Sequence, residues 1–246
     1  LLVGANQAIA ADTGRFRLDT GMDYTTGKYG GTQSIEEWYV PVTGKYITAD
    51  YILRLTVPYI RVTAPAGTII SRNSYDEVVI PGSGDRVTVD GLGDIVAGIT
   101  FRDVLNSSTT GWGLNLTGRI KFGTADEDIG LGTGEDDYTI QVDLYKYYGR
   151  FNPYGAVGYK FRGDPLGTEL NDLWFGVAGG GYSLSHKIDI GMNFYVREAS
   201  YTGAPKPRQL TALLDYRLND AWKVQGYVTR GFGDASADWG AGVMLT

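Results

Sequence analysis

Between Gly111 and Phe122 the chain reads GWGLNLTGRIKF, and its apolar and polar side chains alternate. Trp112, Leu114, Leu116, Ile120 and Phe122 fall on one face, and Asn115, Thr117, Arg119 and Lys121 on the other. A period of two is that of a β-strand, whose successive side chains point to opposite faces of a sheet. The apolar face suits hydrocarbon. The other face carries full charges, which a dry sandwich core does not hold unpaired. The same pattern returns along the chain and predicts an all-β fold, a transmembrane antiparallel β-barrel of about 12 strands with lipid outside and water inside. A soluble lipocalin-type barrel also alternates, but it turns its apolar residues inward.

The 246 residues include 36 Gly, 18 Tyr and no Cys, which suits one large β domain without disulfides. No run of eighteen apolar residues exists, so no spanning helix is expected; spanning strands leave a weaker signal. A net charge of -6 argues against nucleic-acid binding, because phosphate recognition needs a positive surface. Residues 1–13, LLVGANQAIAADT, are read as a signal remnant or a short plug segment, and 14–246 as the barrel.

Alternation marks twelve segments: Phe16–Tyr24, Glu37–Thr48, Tyr51–Thr63, Asp94–Arg102, Gly111–Phe122, Tyr138–Tyr148, Phe151–Arg162, Leu173–Leu184, Lys187–Glu198, Gln209–Leu218, Ala221–Arg230 and Trp239–Thr246. Tight joins alternate with longer ones rich in Gly, Asp and Ser, as short periplasmic turns alternate with longer extracellular loops. The expected location is the outer membrane of a Gram-negative bacterium. In the third segment Leu53, Leu55 and Val57 point outward, but Ile60 and Val62 sit on the opposite parity. A bulge near Pro58 is expected to absorb that slip.

The strand phases give a lumen lining of Arg17, Asp19, Asp23, Arg54, Asp94, Arg119, Lys121, Asp143, Lys160, Arg162, Asp189, Arg197, Asp215, Arg217 and Lys223. Both signs interleave, which fits either a selectivity lining for small polar or anionic solutes or a charge network that props or fills the barrel. Trp38, Trp112, Tyr138, Tyr159, Trp222 and Trp239 lie near strand ends, where an interfacial aromatic girdle belongs. The face of Trp174 is left open. The longest connection, Ala64 to Val89, has its own apolar pieces at Ile69-Ile70 and Val78–Ile80 and is expected to fold inward as a constriction; a surface lobe is the other reading. The acidic stretch DEDIGLGTGEDD, Asp126 to Asp137, lacks the ligand spacing of a calcium loop and is read as solvated. The single His, His186, sits in a short turn away from any Ser and Asp constellation, so no enzyme, cofactor or metal site is expected.

Gly27-Lys28-Tyr29-Gly30, WYVPVTGKY (Trp38–Tyr46), LRLTVPYIRVT (Leu53–Thr63), KFGTADEDIGLGTGEDDY and YKFRGDP, ending at Pro165, resemble a bacterial outer-membrane barrel family. That family includes the exporter of the Fap functional-amyloid system and transporter-like proteins associated with phenol degradation. The resemblance implies a twelve-stranded barrel, a homotrimer and a helical plug preceded by a coiled coil. The expected function is an outer-membrane channel passing small polar solutes or an exported polypeptide, with membrane lipid and lipopolysaccharide as partners. The alternative is a closed structural barrel serving as an anchor or assembly partner without transport.

Overall fold

The computed structural model describes residues 14–73, 76–165 and 167–246; the segment 1–13 lies outside the described residues. Twelve of the strands close into one antiparallel barrel: β1 (Arg15–Gly27), β2 (Ile35–Ile47), β3 (Tyr51–Pro65), β7 (Val96–Phe101), β8 (Trp112–Lys121), β9 (Asp137–Lys146), β10 (Phe151–Phe161), β11 (Leu173–Ser183), β12 (Ile188–Arg197), β13 (Arg208–Arg217), β14 (Lys223–Gly231) and β15 (Trp239–Leu245). Pairing of β1 with β15 completes the ring. Three further strands lie between β3 and β7: β4 (Ile69–Asn73), β5 (Asp76–Ile80) and β6 (Arg86–Leu92). Closure matters because an open edge in hydrocarbon leaves backbone N–H and C=O groups without partners.

The outer face is apolar. Met22, Leu53, Leu55, Leu116, Val142, Met192, Val228 and Val243 are all exposed on it, and Ile140 reaches 58%. Aromatic side chains band both ends of this belt. Tyr24 packs at a tilt against Trp38 and Trp239 with ring centroids 4.8 and 5.5 Å apart, and Tyr159 edge-on against Phe161 and Trp174, both at 4.9 Å. Tyr138 is exposed at this same long-loop end. At the short-turn end Phe16 meets Tyr46 at 4.9 Å, Trp222 is exposed, and Lys146 lies 4.7 Å over the Trp112 ring. Trp174 points outward, 55% exposed.

β3 runs without a break. Its pairing with β2 continues in one register from Glu36 opposite Thr63 to Ile47 opposite Ile52. The bulge expected on this strand sits instead on its other neighbour. β6 and β7 form one interrupted strand, in which Leu92 faces Tyr59 and Val96 faces Thr56. Two residues on β3 thus oppose three, Gly93 to Ile95. Pro58, which has no N–H to give, lies opposite the gap and accepts from Gly93 N at 2.9 Å. Ile60 and Val62 therefore keep strand parity and point inward, buried to 0% and 3%.

Those inward apolar residues have a partner inside the barrel. The β4–β5 hairpin folds into the lumen and buries Ile70, Ser71 and Val78. Ile70 packs in one cluster with Ile60, Val62, Ala64, Tyr39, Ile35 and Leu131. Leu131 belongs to the acidic loop read from sequence as solvated. There Asp126 caps a short 3₁₀ turn (Glu127–Ile129), and Gly130 O accepts from Ile70 N at 2.9 Å, so the loop closes over the hairpin.

Candidate functional site

The interior polar groups fall into three layers, starting where the hairpin meets the wall. Arg72 on β4 puts Nη2 3.2 Å from Asp23 Oδ1 and Nη1 3.1 Å from Glu37 Oε1, with its guanidinium 4.5 Å over the Tyr39 ring. Asp23 and Glu37 come from the adjacent strands β1 and β2, and both are buried. Asp23 also accepts from the Tyr227 hydroxyl on β14. Glycine makes room for that ring: a Cβ at Gly242 on β15 falls 2.4 Å from Tyr227 Cζ. On β5, Glu77 accepts from Tyr29 Oη at 2.9 and 3.0 Å, and its backbone carbonyl accepts from Arg197 Nη2 at 2.8 Å. Burial, together with the Glu37 carboxylate, pushes the Glu77 carboxyl well above its usual range against the opposing pull of Arg72. Burial and the same two carboxylates push the Tyr29 phenol up as well.

The second layer surrounds Lys121, 2% exposed. Its Nζ lies 3.0 Å from Asp94 Oδ2 and 3.8 Å from Asp137 Oδ2, and it donates to Thr133 Oγ1 at 3.2 Å and Glu135 O at 2.8 Å. Asp94 comes from the bulge and also accepts from Ser71 Oγ at 3.1 Å and Ala125 N at 3.1 Å. The bulge thus aims a carboxylate at both the hairpin and the next wall strand. Lys160 and Arg162 are buried nearby, and the charges of Lys121, Lys160 and Arg162 all act on Asp137.

The third layer lies toward the short-turn end. Asp19 pairs with Arg17 at 2.9 Å and with Lys45. Arg119, nearer the long-loop end of β8, reaches this layer through Gln141: it donates to Gln141 Oε1 at 2.9 Å, and Gln141 donates to Asp143 Oδ1 at 2.6 Å. Arg54 Nε is buried with no hydrogen-bond partner among the described residues. Asp189 on β12 sits directly opposite Asp215 on β13; Ser183 Oγ donates to Asp189 at 2.5 Å, while Gln225 at 2.8 Å and Lys223 at 3.3 Å serve Asp215. Arg217 donates to His186 O at 3.0 Å in the exposed turn.

Sequence reasoning did not single out Glu37, Tyr39, Lys45, Arg72, Glu77, Asp137 or Tyr227. Glu37, Tyr39 and Lys45 share parity with the buried Thr43, so alternation along β2 contained the signal. Arg72 gave none, because its carboxylate partner Glu37 lies 35 residues away and only the inward fold of the hairpin joins them.

No protein-family model matches the chain, and no curated protein matches it in sequence. Solved structures do. The chain is similar to the COG4313 outer membrane channel from Pseudomonas putida F1, with a TM-score of 0.75 at 11% identity, over 99% of this chain and 98% of that one. It has the fold of a bacterial outer-membrane barrel. It is also similar to the KdgM porin in complex with disordered oligogalacturonate, with a TM-score of 0.54 at 8% identity over 93% and 98% of the two chains. A third similarity is to the translocator domain of the autotransporter NalP from Neisseria meningitidis, with a TM-score of 0.52 at 12% identity over 97% and 89%.

Proposed function

We propose that this chain is a passive outer-membrane channel that moves small polar solutes through its lumen. The observation that carries the reading is the inversion of the barrel: an exposed apolar belt bounded by aromatic bands, and ionic side chains turned to the interior. An outward belt of Leu, Ile, Val and Met is stable in hydrocarbon, and interior carboxylates and guanidiniums need water or one another. The fold supports the same reading, since the barrels it resembles carry the names of a channel and a porin.

Small solutes fit better than a polypeptide. The β4–β5 hairpin occupies the lumen and is tied to β1 and β2 through Arg72 and to β12 through the Glu77 carbonyl. An unfolded chain has to displace it, whereas solutes of a few heavy atoms need only the space around it. The likeness to the Fap exporter and to phenol-degradation barrels, and the homotrimer it implies, belong to this proposal. The hairpin ties also favour a second reading, a closed barrel without transport. Planar-bilayer recording separates the two: discrete openings by purified protein support the channel, and openings that appear only after deletion of Ser71 to Gly84 support the closed barrel.

A further inference from the structure

Cross-strand register places five basic residues on one line around the interior wall. Arg17 on β1 is opposite Lys45 on β2, and Lys45 is opposite Arg54 on β3. Arg54 is opposite Gly98 on β7, and Gly98 is opposite Arg119 on β8. Arg119 is opposite Thr139 on β9, and Thr139 is opposite Lys160 on β10. The line crosses seven strands with five cations, two neutral residues and no acid. Because barrel strands are tilted and staggered, such a line winds as it climbs. Arg17 and Arg54 are near the short-turn ends of their strands, and Arg119 and Lys160 near the long-loop ends. At about 4.8 Å per strand, the path is roughly 30 Å long.

Like charges directly opposite one another destabilise a sheet. Arg17, Lys45 and Arg54 are two such pairs in succession, served by Asp19. Arg54 keeps a buried Nε without a partner, and its charge reaches both Lys45 and Asp143. Space is also reserved: a Cβ at Gly98 comes 3.1 Å from the Arg119 stem, so glycine leaves room for that stem, whose guanidinium donates to Gln141 on β9. Asp19 binds the first two cations of the line, and Asp137 and Asp143 lie within electrostatic reach of the others, but the directly facing acids lie across the ring. Asp189 and Asp215 face each other on β12 and β13, and β12 stands six strands around the twelve-strand ring from β3.

We infer that Arg17, Lys45, Arg54, Arg119 and Lys160 form a winding cationic track that binds carboxylate-bearing solutes and passes them along the wall. Guanidinium forks match carboxylates in a bidentate manner, and steps of about 5 to 10 Å let an anion engage the next cation before leaving the last. The inference rests on the channel reading and names its substrate class.

Succinate is the probe, with wild-type protein, Arg54→Gln, Arg54→Lys and the double variant Arg54→Gln/Arg119→Gln. Folding of each is checked by resistance of the barrel to SDS at room temperature. Two readouts are taken: reversal potential and succinate block in planar bilayers, and succinate binding to detergent-solubilised protein by calorimetry. The expected result is an anion-preferring wild-type channel, with succinate affinity falling about tenfold in Arg54→Gln, further in the double variant, and mostly retained in Arg54→Lys. Equal binding by wild type and folded Gln variants, or none by wild type, overturns the track even if the channel conducts. A wild type that binds succinate in this pattern but never opens upholds the carboxylate site and refutes transport.

Discussion

Arg72→Met tests whether the hairpin is held by its charges. The substitution removes a cation that sits between two carboxylates, Glu37 at 0% exposure and Asp23 at 5%. Removing one partner of a buried ion pair costs about 3–5 kcal/mol, because the remaining charge is left without compensation. The stacking of the guanidinium on Tyr39 is lost too. At 1.4 kcal/mol per factor of ten, the undocked fraction of the hairpin rises by roughly a hundredfold to a few thousandfold. The amide of Ile70, which donates to Gly130 O at 2.9 Å, reports this directly by hydrogen exchange, since undocking breaks that bond. Exchange at Ile70 is expected to accelerate by that factor, with larger conductance in bilayers. Adding Asp23→Asn and Glu37→Gln to Arg72→Met removes the orphaned charges and restores most of the protection. Ile70 exchange as slow in Arg72→Met as in wild type, with conductance unchanged, refutes the reasoning.

The raised pKa of Glu77 makes hairpin docking pH-dependent: the docked state holds the proton more tightly, so docking is full below the ordinary carboxylate range and weakens as pH rises through the raised value. Conductance should increase with pH and the protection of the Ile70 amide, relative to its intrinsic exchange rate at each pH, should fall, and Glu77→Gln should flatten both profiles. Lys121→Met leaves Asp94 buried without its cation and should lower unfolding stability in urea by about 3–5 kcal/mol. Gly242→Val forces the Tyr227 ring from its place on the wall and breaks its bond to Asp23, at about 1–3 kcal/mol in the same assay. Val142→Arg, on the outer belt midway along β9, should cost about 2–4 kcal/mol when folding into lipid vesicles.

The barrel was legible because its signal is local. Leu116 and Thr117 are neighbours in sequence and on opposite faces of the wall, and the same contrast repeats strand after strand. β3 shows where local reading fails. Ile60 and Val62 look misplaced if every inward residue is assumed to meet water; they are in phase once the hairpin supplies an apolar surface inside. The apolar pieces Ile69-Ile70 and Val78–Ile80 showed that the long connection had something to bury, but not what it would bury against. Arg72, Glu77 and the winding line of cations depend on pairings between distant segments and on strand stagger, neither of which is written in any one stretch of residues.

The hairpin also has a mechanical meaning. It is fastened on one side to β1 and β2 and on the other to β12, nearly across the ring, so it works as a cross-brace within a hollow cylinder. A thin tube of twelve staves flexes most easily by flattening into an ellipse; a strut between distant staves resists that deformation. Whatever loosens the strut therefore softens the cross-section of the whole cylinder as well as clearing its bore.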